Sequence, residues 1–145
     1  MSQETLKALV VHLKAHQFIK ETIKKDMLKY GLSMSEFMVL ELLYHKGSQT
    51  IQSIAKKVLL TSGSMTYVIN QLEKKQMIQR KRDPQDGRIT YVSLNEQAKS
   101  FMKSAFKEHE KMIEKMFSSL DEQQLQMWIA SNKKIGKILE NELNK

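Results

Sequence analysis

The stretch that most constrains this chain runs from Thr61 to Leu94. In its first half, Met65, Val68, Ile69 and Leu72 recur at the three-, four- and seven-residue spacing of a helix with one apolar stripe. Ser62, Ser64, Thr66, Tyr67, Asn70 and Lys74 surround that stripe with small and hydrogen-bonding side chains, and Thr61 or Ser62 is placed to cap the helix. After Gln76 the period changes to two: Arg80 and Arg82 fall on one face of a strand, Gln79 and Lys81 on the other. Asp83-Pro84-Gln85-Asp86-Gly87 is dense turn chemistry and holds the only proline, and Ile89 to Val92 are strand formers. The helix needs a lobe to cover its stripe.

The remaining chain supplies that lobe and more. Leu6, Leu9, Val10, Leu13, Ala15, Ile19, Ile23 and Met27 mark a helix over 3–30, with Gly31 as its stop. Ser33 and Glu36 have capping-box spacing, and Leu32 can staple against Phe37. The helix they open is apolar nearly all round and ends at Gly47, so it belongs at the centre of a lobe. After a short connection, Ser48-Gln49-Thr50, a third helix runs from about Ile51 to Val58, with Ile51, Ile54, Ala55 and Val58 as its expected buried stripe. Asn95 caps a helix striped from Ala98 to Phe117, Ser119 and Glu122 are spaced as a second capping box, and a last helix carries Leu125, Trp128, Ile129, Ile135, Ile138, Leu139 and Leu143. The expected fold is mainly α: a winged helix-turn-helix lobe over residues 32–95, flanked by an N-terminal dimerisation helix over 1–31 and C-terminal dimerisation helices over 96–145. A terminal helix this long has more apolar surface than one small lobe covers, and a second copy of the chain is an economical cover.

With 145 residues the chain is one domain or two small lobes sharing a core. Residues 50–93 hold eight basic against three acidic side chains and so carry most of the net charge of +8, which suits a polyanion-facing surface. A solvated basic face reads the same way by charge alone. Cysteine is absent, which excludes disulfides, thiolate catalysis, thiol redox sensing and Cys-ligated zinc. Charges interrupt every apolar run, so neither a signal peptide nor a membrane span is expected, and the expected location is cytoplasmic.

The arrangement resembles the MarR family of winged-helix transcriptional regulators over essentially the whole chain. The stretches that carry the resemblance are Ser62 to Lys75 and the wing from Asp83 to Asn95, which contains the family's Asp-x-Arg element as Asp86 and Arg88. The resemblance implies a homodimer joined by its terminal helices, acting on a pseudo-palindromic operator, usually as a repressor. It also implies an effector, a small ligand or in some members an oxidant, that alters the spacing of the two DNA-binding lobes. Three positions depart from the pattern. Gln76 stands where glycine is frequent, Gly87 stands where many members have a second arginine, and the cysteine of the oxidant sensors is missing. Residues 35–47 are similar to members that respond to hydroquinones and other phenolic compounds.

On DNA, the recognition helix is expected to present Ser62, Ser64, Thr66, Tyr67, Asn70, Gln71 and Lys74 to the major groove. Asn and Gln pair bidentately with adenine, and with no arginine on this face an A·T-rich operator is expected. For Tyr67, packing inside the lobe is the competing reading, and Ser62 and Ser64 also serve as plain caps. Arg80, Arg82, Asp86 and Arg88 make the wing, with Arg88 entering the minor groove and Asp86 orienting its guanidinium. Lys56 and Lys75 are expected on phosphates. An effector pocket is expected between the DNA-binding lobe and the dimer helices, among His12, His16, Phe18, Met27, Tyr30, Phe37 and Met38, although ordinary core is the stronger reading of each. His12 and His16 have the spacing of a metal pair but lack further ligands, so no metal and no cofactor are assigned. Enzyme motifs are absent: there is no HExxH, phosphate loop or GxSxG. The alternatives are a winged-helix module for protein contacts and a metal-responsive regulator.

Overall fold

The computed structural model describes residues 2–58 and 64–145. Two compact units divide the chain, Met1–Glu108 and His109–Lys145.

The first unit begins with α1, Gln3–Leu28, capped by the Ser2 hydroxyl accepting the Thr5 amide at 3.2 Å. Only Met27 of α1 is fully buried; the residues before Ile19 are exposed. Gly31, at φ 69°, closes the helix as expected: its amide bonds to the Leu28 carbonyl at 3.0 Å and that of Leu32 to Met27 at 3.4 Å. α2, Met34–Lys46, opens on the expected capping box, with Ser33 Oγ accepting from the Glu36 amide at 3.1 Å and Glu36 Oε2 from the Ser33 amide at 2.9 Å. Phe37, Val39, Leu40 and Leu43 place α2 at the centre of the core. It stops at Gly47, whose φ of 72° and ψ of −156° lie in a region reserved for glycine.

The connection after Gly47 contains a strand the sequence reading lacks, β1, Gln49–Thr50. Two residues are too few to show alternation. Thr50 also caps α3, Ile51–Lys57, through the Ser53 amide at 3.1 Å. Ile54 and Val58 are buried and Ile51 half-buried, but Ala55 is exposed, contrary to its expected place in the stripe. The buried line of this short helix runs 51, 54, 58, and Ala55 lies 100° round from Ile54.

α4, Met65–Lys74, buries Met65, Val68, Ile69 and Leu72 as expected. Its N-cap is Ser64, whose side chain makes no capping bond; the expected caps Thr61 and Ser62 lie outside the described residues. Its C-terminus closes with the Gln76 amide on the Glu73 carbonyl at 2.9 Å and the Met77 amide on Leu72 at 3.1 Å, a Schellman turn. The residue in the left-handed position is Gln76, at φ 56°, the only described non-glycine residue with positive φ. The helix therefore ends with a glycine-type turn although glycine is missing. Gln76→Gly is expected to raise stability by about 0.5–1 kcal/mol, the left-handed strain relieved less the extra chain entropy. Urea unfolding measures it, and a destabilised variant would contradict it.

β2, Ile78–Arg82, and β3, Thr90–Leu94, form the hairpin, paired from Ile78↔Leu94 to Arg82↔Thr90. β1 joins the other edge of β3, giving the antiparallel order β1-β3-β2. Ile78, Val92 and Leu94 turn into the core with α2 and α4. α5, Glu96–Phe117, starts as expected on Asn95, whose Oδ1 accepts from the Ala98 amide at 2.8 Å. Ala98, Met102 and Ala105 close the core of this unit.

In the second unit α6, Glu122–Leu143, is capped by Asp121 and Gln124, with bonds of 2.8 and 3.0 Å. The expected box on Ser119 and Glu122 is therefore displaced by two residues: the helix starts later, and the Asp121 carboxylate accepts the Gln124 amide as its cap. Phe117 and Trp128 meet edge to face with centroids 5.4 Å apart. Among the described residues no helix is long and apolar enough to cross a membrane.

Candidate nucleic-acid interface

With its apolar stripe buried, α4 turns the opposite side outward. Thr66, Tyr67, Asn70 and Lys74 are exposed there, Gln71 is half-buried, and Ser64 is exposed at the cap. Tyr67 is 63% exposed, which removes the reading in which it packs inside. Ser62 lies outside the described residues.

The hairpin loop after Arg82 is closed by its own hydrogen bonds. Asp83 Oδ1 accepts the amides of Gln85 at 2.8 Å and Asp86 at 3.0 Å, and the Asp83 amide reaches the Ile89 carbonyl at 2.9 Å. Asp86 Oδ1 in turn accepts the Arg88 amide at 3.0 Å and its Nε at 3.4 Å. The Arg88 side chain is 94% exposed, so the loop holds its base and projects its guanidinium into solvent.

The amides of Asp86 and then Gln85 hold the Asp83 carboxyl below its usual 3.8. A carboxyl with a lowered folded value stabilises above its unfolded value and loses that contribution as pH falls through the folded one. The wing tip is thus expected to loosen only below about pH 4 and to stay unchanged around neutrality. Following the wing amides by NMR across an acid titration checks this, and loosening near neutral pH would contradict it.

Two of the expected basic contacts have internal partners. Lys75 Nζ donates to Glu36 Oε2 at 2.7 Å and to the Gly31 carbonyl at 2.8 Å, tying the end of α4 to the α1–α2 turn. Glu36 is 6% exposed, and a buried carboxylate needs such a cation. Lys75→Met is expected to cost about 1–2 kcal/mol, the buried-pair loss discounted because the ammonium is partly solvated. A double-mutant cycle with Glu36→Gln in urea checks the coupling, and zero coupling would contradict it. Arg80 points inward beside Ile78, where its Nη2 donates to Asn70 Oδ1 and pairs with Glu73 Oε2 at 3.1 Å. Sequence periodicity put Arg80 and Arg82 on one face, but only Arg82 is left exposed. Lys56 is exposed on α3. An open cleft on the hairpin, bordered by Ser48, Lys81, Arg82, Tyr91 and Ser93, adds Lys81 to the cationic surface. Its place as Arg82's neighbour was the only sequence signal for it.

The residues expected around an effector are dispersed. Met27 and Phe37 are 0% and 1% exposed and belong to the core, whereas His12, His16 and Phe18 stand exposed on α1. Tyr30 and Met38 are half-buried; Tyr30 meets Phe101 edge to face at 5.4 Å, and Met38 lines a second cleft with Leu42, His45 and Val58. The His12 and His16 rings stack at 6.5 Å, and among the described residues no three metal-ligating side chains converge.

The family model described as MarR family matches residues 32–90, the span from the α2 cap to the start of β3. The HTH-type transcriptional regulator MhqR of Bacillus subtilis (strain 168) is 39% identical over 136 residues, 94% of each chain. The chain belongs to the MarR family. It is thus a DNA-binding transcriptional regulator rather than an enzyme. Two solved structures share the fold. AbsC, a MarR family transcriptional regulator from Streptomyces coelicolor, superposes with a TM-score of 0.88 at 18% identity, covering 97% of both chains. BpsR of Bordetella bronchiseptica, whose DNA binding is regulated by 6-hydroxynicotinic acid, superposes with a TM-score of 0.78 at 17% identity over 90% of this chain and 98% of its own. In this winged-helix fold the β2–β3 hairpin is the wing.

Proposed function

We propose that this MarR-family regulator is a homodimeric repressor of a pseudo-palindromic, A·T-rich operator, released by a small phenolic or quinone-type ligand. The observation that carries the DNA reading is the exposed Arg88 at the tip of a self-bonded wing, next in the chain to a recognition helix whose outward residues are polar. In this reading Ser64, Thr66, Tyr67 and Asn70 meet major-groove edges, Arg88 enters the minor groove, and Lys56, Lys74 and Arg82 lie on phosphates. Residues 32–95 bind DNA, and residues 1–31 and 96–145 dimerise. Supporting dimerisation, α1 exposes Leu6, Leu9, Val10 and Leu13 on one face, and α6 exposes Ile135, Ile138, Leu139 and Leu143. The ligand class rests on the similarity of residues 35–47 to phenol-responsive members, and BpsR shows an aromatic ligand acting on DNA binding in a protein of this fold.

The test is a mobility-shift titration on the DNA upstream of the protein's own gene, repeated over a salt series with and without hydroquinone and catechol. Binding is expected to be sequence-selective, to weaken with a log–log salt slope of roughly −0.9 per phosphate contact, and to be relieved by one of the phenols. Affinity indifferent to both phenols would contradict the effector. No selective shift at any salt would favour the protein-interaction module instead.

A further inference from the structure

We propose that Arg80 is a specificity-determining residue that never touches DNA: it orients the Asn70 amide so that Asn70 reads only hydrogen-bond acceptors. The inference rests on the reading of α4 as the recognition helix. Arg80 Nη2 meets both Asn70 Oδ1 and, at 3.1 Å, Glu73 Oε2. A guanidinium has donors and no acceptor, so the amide oxygen is the only end of Asn70 that can face it. Arg80 Nε is shielded from solvent and the side chain as a whole is 28% exposed, so two partners hold this head at the junction of α4 and β2. Glu73, one turn from Asn70 on the same helix, fixes the guanidinium from a second side.

An asparagine pairs bidentately with adenine by accepting from N6 and donating to N7. Here Arg80 turns the acceptor toward the protein, and Asn70 Nδ2, which has no partner among the described residues, is the end left to face outward. A donor alone fits thymine O4, guanine O6 or N7 and adenine N7, and finds no acceptor on the major-groove edge of cytosine. Asn70 therefore rejects cytosine at one position of each half-site, and the expected bidentate adenine contact is given up. Arg80 acts through Asn70 and is a positioning residue.

The experiment is selection from randomised duplex DNA by the full-length protein and its variants. Wild type is expected to deplete cytosine at one half-site position by roughly tenfold. Asn70→Ala flattens that position and leaves the others. Arg80→Met frees the amide to turn its oxygen outward, so that cytosine is accepted there and adenine, now met bidentately, is favoured, whereas Arg80→Lys, which still donates to Oδ1, keeps the wild-type preference. Thermal melts check that each variant folds, and Arg80→Leu, which also lacks a donor, replaces the Met variant if it does not. A wild-type preference in Arg80→Met would overturn the proposal. So would a uniform loss at every position with a salt slope reduced by about one per half-site, which marks a phosphate contact. An Asn70→Ala profile identical to wild type would instead overturn the recognition-helix reading on which the proposal rests.

Discussion

Arg88→Ala is expected to weaken operator binding by about 30- to 1000-fold while leaving the fold intact. An arginine in a groove contributes roughly 1–2 kcal/mol per contact, and a dimer makes the contact twice. The side chain is 94% exposed and among the described residues pairs with Asp86 alone, at 3.4 Å, so its removal takes little from the folded protomer. Exposed ion pairs of this kind contribute about 0–1 kcal/mol, and the melting temperature is expected to stay near that of wild type. Arg88→Lys keeps the charge without the fork and should fall between the two. Asp86→Ala removes both the backbone and side-chain bonds that aim Arg88, and a smaller loss of about 5- to 150-fold is expected, the cost of about one hydrogen bond in each of two wings. Fluorescence anisotropy with labelled operator, over a range of salt, reads all three. Wild-type affinity in Arg88→Ala would show that the wing does not contact DNA.

Leu139→Glu is expected to separate the protomers and take operator binding with them. Leu139 is 54% exposed in the protomer, within the apolar face that α6 forms with Ile135, Ile138 and Leu143. Covering a leucine contributes roughly 1.5–3 kcal/mol, and a two-fold interface contains each position twice. Losing both copies weakens the dimer by about 10²- to 10⁴-fold before the carboxylates' desolvation is counted. A lone lobe then contacts one half-site only. Sedimentation should give a monomer, circular dichroism should retain the helical signal, and operator affinity should fall at least as far as dimerisation does. A variant that stays dimeric with wild-type affinity would place the interface elsewhere.

Much of the fold was legible because local chemistry and long-range packing agree. Ser33 with Glu36, Gly31, Gly47 and Asn95 announce helix ends, and the structure uses each of them. The stripe on α4 predicts its burial residue by residue. What was hidden depends on partners distant in sequence. β1 exists because Gln49 and Thr50 lie against Val92 and Tyr91, which no local pattern of two residues reveals. Lys75 and Arg80 read as free cations because Glu36 lies 39 positions from Lys75 and Asn70 lies 10 from Arg80. Gln76 adopts a glycine conformation because the closing bonds to Leu72 and Glu73 outweigh its strain. Among the effector candidates on α1 and α2, packing sends Met27 and Phe37 into the core while leaving His12, His16 and Phe18 exposed.

Residues 61–94 are proposed to act as a pair, carried by two copies of the chain on one operator. Hydroxyl-radical footprinting of the purified protein, with the protein-to-duplex ratio measured on the same complex, tests it most directly. The expected result is two protected half-sites related by inverted symmetry, centred about 10 base pairs or a multiple of that apart on one face of the helix, with two chains per duplex. A single protected half-site bound by one chain would contradict the account.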